Sequence, residues 1–466
     1  MEKRPNIVLF VTDQQHAETI GAAGLCRTPR LNRLIEEGVR FTQAYTPTPM
    51  CTPARGSLVT GLYPHQHKLV MNTHGTDQED YTIRGLETIG SALAAEGYKT
   101  VYAGKWHVGK TPPEEHGFQE ILEPRAAGAK GTNSDIITIT DKRGEEVVLS
   151  ATAGYPAEDA FVHRLAGSVN EWLERPEAGE QPFLLMACCH EPHVPWVVPE
   201  PYASMYDPDS LPEWDSYGDS FHNKPLTYTK HYTKVNFCRL QNDWPRMARA
   251  LAKYYGAVTM VDDAFGAILD KLEERGLMDD TIILFTSDHG ELLGRHGLIG
   301  KNELALDDII HIPFVFYSKG RFVPGSCDSF IQLCDVFNTV MELAGAKLRP
   351  QLDSRSLVPY LQGRPDQADE RDSVVIQHGG TTFPNAIRAI RNRTHKYVFR
   401  PHELDEFYDL TVDPSERINR INDPHYRQAV ELMREQLLDW AEKTNDPSRG
   451  SMRLVFSNPE QPDFAG

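Results

Sequence analysis

The sequence predicts an α/β protein with a smaller α+β unit at its C-terminal end, and three observations carry that prediction. Short apolar runs alternate with amphipathic segments along most of the chain, the pattern of a sheet covered by helices. The leading run, "NIVLFV" (6–11), is apolar from Ile7 to Val11, so it reads as a buried strand. After Gly363 the texture changes: "SVVIQH", "AIRAIRN" and "HKYVFR" read as short strands separated by turn residues. They are followed by "DEFYDLTVDPSE" and a helix, "YRQAVELMREQLLDWAEKT". At 466 residues the chain is long enough for one large and one small unit, placed here at 1–364 and 365–466.

The elements follow in order. After the strand at 6–11 comes a helix over 28–38, with Thr28 as its cap and Gly38 as its stop. "VRFTQAY" (39–45) reads as the next strand. In "CTPARGSLVTG" a helix starts beside Cys51, with Thr52 as N-cap, Pro53 at the first helical position and Gly61 ending it. Cys51 then sits beside free N–H groups at a helix N-terminus, where anions are attracted, and Arg55 lies one turn on. A helix over 88–97 leads into the strand at 99–104. Residues 123–157 contain two alternating runs, "DIITITD" and "EEVVLSA", that read as a hairpin insertion. Further strands are expected at 183–189, 281–287 and 312–318. Between the first two, 246–275 has Met247, Leu251, Tyr254, Val258, Val261 and Phe265 near one helical face. The segment 198–245 is rich in Tyr, Trp, His, Pro and Asp without periodicity, and a loop of that length is usually functional.

Composition narrows the partners. Lys plus Arg number 48 and Asp plus Glu 66, a net charge of −18. That excess disfavours nonspecific binding to nucleic acid or anionic membrane, while leaving room for a local anion pocket. No stretch is apolar and long enough to cross a bilayer. In "MEKRPNIVLFVTDQQ" the apolar run is only Ile7 to Val11 before Asp13, so no signal peptide is expected. Seven cysteines without repeating spacing fit a reduced, cytoplasmic chain rather than a disulfide framework. Oligomeric state is left open.

Chemistry collects at the strand ends, where open α/β sheets form their sites. The first strand ends in Asp13-Gln14, the 99–104 strand in Lys105-Trp106-His107, the 183–189 strand in His190-Glu191-Pro192-His193, and the 281–287 strand in Asp288-His289. Each alone has a structural explanation, such as a cap or a surface lysine. Four together make one shared site the better reading. Asp13, Gln14, Asp288 and His289 offer two carboxylates, an amide oxygen and an imidazole, a mostly oxygen set for a hard divalent cation such as Ca²⁺ or Mg²⁺, with the histidine leaving Mn²⁺ open. Arg55, Lys105 and Lys301 add positive charge for one tetrahedral oxyanion. The expected chemistry is displacement at sulfur or phosphorus.

These blocks resemble a known family. "CTPAR" resembles the Cys-x-Pro-x-Arg signature of type I sulfatases, of the alkaline phosphatase superfamily. "GKWHVG", "PHVPW", "TSDHGELLGRHGLIGK", "FNTVMELAGA" and "EFYDLTVDPSE" follow in family order. The resemblance implies an alkaline-phosphatase-like fold: a large mixed, mostly parallel sheet between helices, with a smaller C-terminal antiparallel sheet and helix. It implies oxidation of Cys51 to Cα-formylglycine by a separate maturation enzyme, and a hydrated aldehyde as nucleophile. Carried over by position, Asp13, Gln14, Cys51, Asp288 and His289 are metal ligands, with Asp288 also a proton acceptor. Arg55 steadies the diol, Lys105 and Lys301 hold sulfate oxygens, and His107 assists collapse of the intermediate. His193 is the acid for the departing alcohol, with His190 as the alternative.

Two departures from the commonest family pattern bear on the substrate. Gln14 and His289 replace the more frequent Asp and Asn, resembling choline sulfatases and the phosphonate monoester and phosphodiester hydrolases. Asn72 resembles an anion-contacting asparagine of the latter branch. Lys105-Trp106-His107, however, is the sulfatase form. The leading expectation is a hydrolase of saccharide or small-molecule sulfate esters. The alternatives are a phosphonate or phosphodiester hydrolase and an unconverted, inactive binding protein. Specificity is expected in 198–245 and 66–80.

Overall fold

The structure, a computed structural model, describes residues 4–21, 24–128, 131–140, 145–228, 243–301, 304–350, 353–379 and 386–457. An eight-stranded sheet organises the larger part. Across it the strands run Gly325–Gln332, Val39–Tyr45, Phe314–Tyr317, Thr281–Ser287, Asn6–Thr12, Phe183–Cys188, Lys99–Gly104 and Glu120–Leu122. Phe314–Tyr317 pairs antiparallel with both of its neighbours, and the other pairings are parallel.

The apolar run Ile7 to Val11 of the first strand has a simple cause. Successive side chains point to opposite faces of a sheet. Val8 and Phe10 enter one core with the Phe161–Leu173 helix and the 31-residue Trp244–Glu274 helix. Ile7, Leu9 and Val11 enter a second core under the Cys51–Thr60, Ile89–Ala95 and Asp335–Leu343 helices. Both faces are covered, so the strand is apolar from Ile7 to Val11, with polar residues only at its ends, Asn6 and Thr12.

The expected hairpin is present as Ser134–Thr140 and Glu146–Thr152, and Trp196–Val198 adds a third, parallel strand. The C-terminal strands Ser373–His378, Ile387–Asn392, His395–Phe399 and Glu406–Asp409 form an antiparallel sheet in sequence order. Val375, Ile390, Tyr397 and Phe399 face the Arg427–Lys443 helix. Val374, Ile376, Ala389 and Val398 share a core with Tyr45, Leu304, Ile309 and Phe330 of the larger part. Among the described residues no helix is long and apolar enough to cross a membrane.

One cap differs from expectation. The Pro29–Glu37 helix begins after Thr28, but the Thr28 side chain makes no capping hydrogen bond. Asp262, from the long helix, accepts from Arg30 N at 3.0 Å and Leu31 N at 2.8 Å instead. A carboxylate is a stronger acceptor for these N–H groups than a hydroxyl, and Thr28 Oγ1 is free to bond Asn32 Oδ1 at 3.2 Å.

Candidate active site

Asn6–Thr12 pairs in parallel with Phe183–Cys188 on one side and Thr281–Ser287 on the other, with Val11 opposite Cys188 and Thr12 opposite Ser287. The carboxyl ends of these strands are therefore neighbours. Lys99–Gly104 pairs in parallel with Phe183–Cys188, Gly104 opposite Cys188, so Lys105 joins Asp13, Gln14, His193, Asp288 and His289 beyond these strand ends, towards the start of the Cys51–Thr60 helix.

That helix begins two residues earlier than the sequence predicts: Cys51 is its first residue and Met50 its N-cap. Thr52 is not the cap. Its backbone N–H donates to Asn72 Oδ1 at 3.1 Å, and its hydroxyl accepts from Thr73 N at 3.1 Å. Pro53 has no N–H, and Ala54 N is bonded to Met50 O. The helix end thus has few free donors, and side chains supply most of the positive charge at the site. Gly61 ends the helix as expected, at φ 70°, with its N–H on Ser57 O. Asn72, expected to contact an anion, spends its carbonyl oxygen on this cap.

Arg55 is almost fully buried, and its guanidinium turns to the two carboxylates rather than to Cys51. Nε donates to Asp288 Oδ2 at 2.8 Å, Nη2 to Asp13 Oδ2 at 3.1 Å and Nη1 to Lys105 O at 2.9 Å. Lys105 Nζ also donates to Asp13 Oδ2. Lys301 Nζ lies 2.8 Å from Cys51 Sγ, 2.9 Å from His289 Nε2, and 3.2 Å from both Gln14 Oε1 and His193 Nε2.

Asp13, Cys51, Asp288 and His289 are buried, and one donor atom of each lies within 4.8 Å of the others. His289 Nδ1 is 2.9 Å from Gly290 O, a carbonyl that can only accept. The proton therefore sits on Nδ1 and the Nε2 lone pair faces the cluster, the orientation of a metal-bound histidine. The Lys301 ammonium already draws Gln14 Oε1, Cys51 Sγ and His289 Nε2 around one positive charge. The donor set fits a divalent cation. Cys51 Sγ is 3.8 Å from Asp13 Oδ1, whereas Asp288 Oδ2 is held by Arg55.

The electrostatics follow from burial opposed by charge. Burial raises the cost of ionising the Cys51 thiol, but Lys301, Lys105 and His289 outweigh it and hold its pKa well below the ordinary value. For Asp13, burial and the Cys51 charge are outweighed by Lys105, His193 and Arg55, so its carboxyl lies below the usual carboxylate range. For Lys105, burial is outweighed by Asp13 and Cys51, and its pKa is raised.

The histidines divide clearly. His193 enters the site: Nε2 faces Lys301 and lies 3.9 Å from Asp13 Oδ1, and Nδ1 is 2.5 Å from Val194 O. His190 is exposed, with its ring edge-on to Phe161 at a centroid distance of 4.4 Å. His107 helps hold the Cys51 pKa down, and its buried Nδ1 has no hydrogen-bond partner among the described residues. His74 stacks on the His107 ring at 5.8 Å, 6° from parallel.

Sequence reasoning missed His74, Tyr254 and the part played by Glu291. Tyr254 reads as a core residue of an amphipathic helix, yet its hydroxyl donates to Gln14 O at 3.0 Å and accepts from His16 N at 2.9 Å. Glu291 was visible in "DHGE", but its acceptor role was not. Of the expected specificity segment 198–245, residues 229–242 lie outside the described residues. The described portion packs against the loop bearing Lys301: Trp214 Nε1 donates to Leu293 O at 2.8 Å, and His296 Nδ1 is 2.8 Å from Asp219 Oδ2.

Residues 5–346 match the family model described as Sulfatase, and 294–443 the model described as N-sulphoglucosamine sulphohydrolase, C-terminal. The chain is 27% identical over 469 residues to the uncharacterized sulfatase YidJ of Escherichia coli (strain K12), covering 96% of this chain and 89% of that protein. It is 28% identical over 492 residues to an arylsulfatase of Clostridium perfringens (strain 13 / Type A), covering 98% of each. The phosphonate monoester hydrolase structure of Agrobacterium radiobacter superposes with a TM-score of 0.78 at 24% identity, over 95% of this chain and 96% of that one.

Proposed function

Because this chain belongs to the sulfatase family and has an alkaline-phosphatase-like fold, we propose that it hydrolyses sulfate monoesters of saccharides or small alcohols. Cys51, converted to Cα-formylglycine by a maturation enzyme, carries the nucleophile, and Ca²⁺ is the cation. The single observation that carries this reading is the convergence on Cys51: Lys301 Nζ at 2.8 Å and His289 Nε2 at 3.3 Å. The saccharide class is supported by the match of 294–443 to the N-sulphoglucosamine sulphohydrolase model.

The hydrated aldehyde supplies an oxygen nucleophile for sulfur, and the cation supplies Lewis-acid charge beside it. Asp13, Gln14, Asp288 and His289 would hold that cation. Lys105 and Lys301 neutralise the oxyanion, and Arg55 keeps both carboxylates in place. With Nδ1–H given to Val194 O, the nitrogen of His193 that faces the site is Nε2, and the doubly protonated imidazolium delivers its Nε2 proton to the departing alcohol. His107 accepts the proton whose removal releases sulfate.

Phosphonate or phosphodiester hydrolysis is the second reading, favoured by the Gln14–His289 pair and by Asn72 beside the nucleophile. It lacks a need for His107. Peptide mass mapping should find the aldehyde at position 51 in protein coexpressed with the maturation enzyme and the thiol in its absence. Only the former should turn over an aryl sulfate, and Cys51→Ala should be folded and inactive. Full activity in Cys51→Ala would end the proposal. A higher kcat/KM for the matching aryl phosphonate would favour the second reading.

A further inference from the structure

Glu291 follows the Asp288-His289 pair and is fully buried. Both of its oxygens are engaged. Oε2 accepts from Gln14 Nε2, and Oε1 accepts from Leu293 N at 3.2 Å and Gly300 N at 2.5 Å. A carboxylate only accepts, whereas an amide side chain has one donating and one accepting end. Tying the NH₂ end of Gln14 to Glu291 leaves Oε1 to face the cluster, where Lys301 Nζ meets it at 3.2 Å. A reversed amide would set N–H groups against a positive charge and its oxygen against a carboxylate.

The Gln14 backbone is held independently. Its N–H donates to Asp288 Oδ1 at 3.2 Å, its carbonyl accepts from the Tyr254 hydroxyl, and its φ is 64°. What the backbone leaves undecided is which end of the amide faces the cation position. We propose that Glu291 is a positioning residue that decides it, presenting the Gln14 oxygen to the cation while anchoring, through Gly300, the loop that delivers Lys301. The inference rests on the reading of this cluster as a divalent cation site.

The test is a cycle of Glu291→Gln, Gln14→Glu and the double variant, read by Ca²⁺ affinity in titration calorimetry and by kcat and KM separately. A glutamine at 291 still accepts from Leu293 and Gly300 through its own oxygen, but points N–H groups at the Gln14 amide. Glu291→Gln should therefore weaken Ca²⁺ by about 10–100-fold, the usual loss when a partner of a metal ligand is removed. The double variant restores a donor–acceptor pair with its polarity exchanged, and should bind within about threefold of the native affinity. Unchanged Ca²⁺ affinity in Glu291→Gln, or a double variant as weak as that single one, would overturn the proposal. Folded protein obtained only from the double variant would support the pairing, and failure of both to fold would overturn it. If the native chain binds no divalent cation, the cofactor reading fails instead. The pairing is then judged by melting temperature, which the double variant should recover.

Discussion

Replacing Arg55 with methionine keeps the apolar bulk of the side chain and deletes its charge from between Asp13 and Asp288. Both carboxylates are 0% exposed, so neither can recover the lost hydrogen bonds from water. Removing one member of a buried ion pair costs about 3–5 kcal/mol, because the remaining charge is stranded. Unfolding entropy of about 2.1 cal/mol/K per residue amounts to ~1 kcal/mol/K over this chain, so the melting temperature should fall by roughly 3–5 °C. A cation held by the same two carboxylates offsets part of that loss, and saturating ligand at 1,000 times Kd adds ~4 kcal/mol to the native state. The deficit of Arg55→Met should accordingly be larger in chelator than in excess Ca²⁺. Differential scanning calorimetry in both buffers measures it, with Arg55→Lys falling between because one ammonium cannot serve both carboxylates in the fork geometry. If Arg55→Met melts with the native protein in chelator, or shows the same deficit in both buffers, the bridging role is refuted.

Two further outcomes are expected. His107→Ala should give a burst of alcohol release from an aryl sulfate followed by a stall, with a sulfated enzyme detectable by intact mass; steady turnover at the native rate would remove His107 from the release step. Asp262 is buried, which pushes its pKa from 3.8 up to about 6, so the folded chain holds this proton more tightly than the unfolded one. Its stabilising contribution is complete below about pH 4 and is lost as pH rises through about 6, by ~3 kcal/mol in all. Asp262→Asn, which cannot ionise, should therefore gain stability relative to the native chain between about pH 4 and pH 7 in denaturant titrations, and a pH-independent difference would contradict the shift.

Much of this molecule was legible in the sequence. The strands at 6–11 and 281–287 were found because a strand buried on both faces must be largely apolar, a purely local signature, and 39–45 and 99–104 because their apolar positions lie between turn and helix signals. The strand Gly325–Gln332 was missed for the converse reason: it lies at the sheet edge and its first half, "GSCD", is mostly exposed. The residues of the site were readable because parallel strands bring their carboxyl ends together, so that polar residues after Thr12, Gly104, Cys188 and Ser287 had to meet.

The sequence by itself determined which residue types gather and at which end of the sheet. Only the tertiary structure decided which donor meets which acceptor. Thr52 lost its capping role to Asn72, 20 residues on, and Thr28 lost its role to Asp262 on a distant helix. Arg55 was assigned to two carboxylates rather than to its neighbour Cys51, and His193 rather than His190 turned towards Lys301. Propensity and periodicity act over a few residues and are written in the local chain. A buried hydrogen bond is chosen by distance and desolvation among every group that packing brings within reach, and those groups come from anywhere in the sequence.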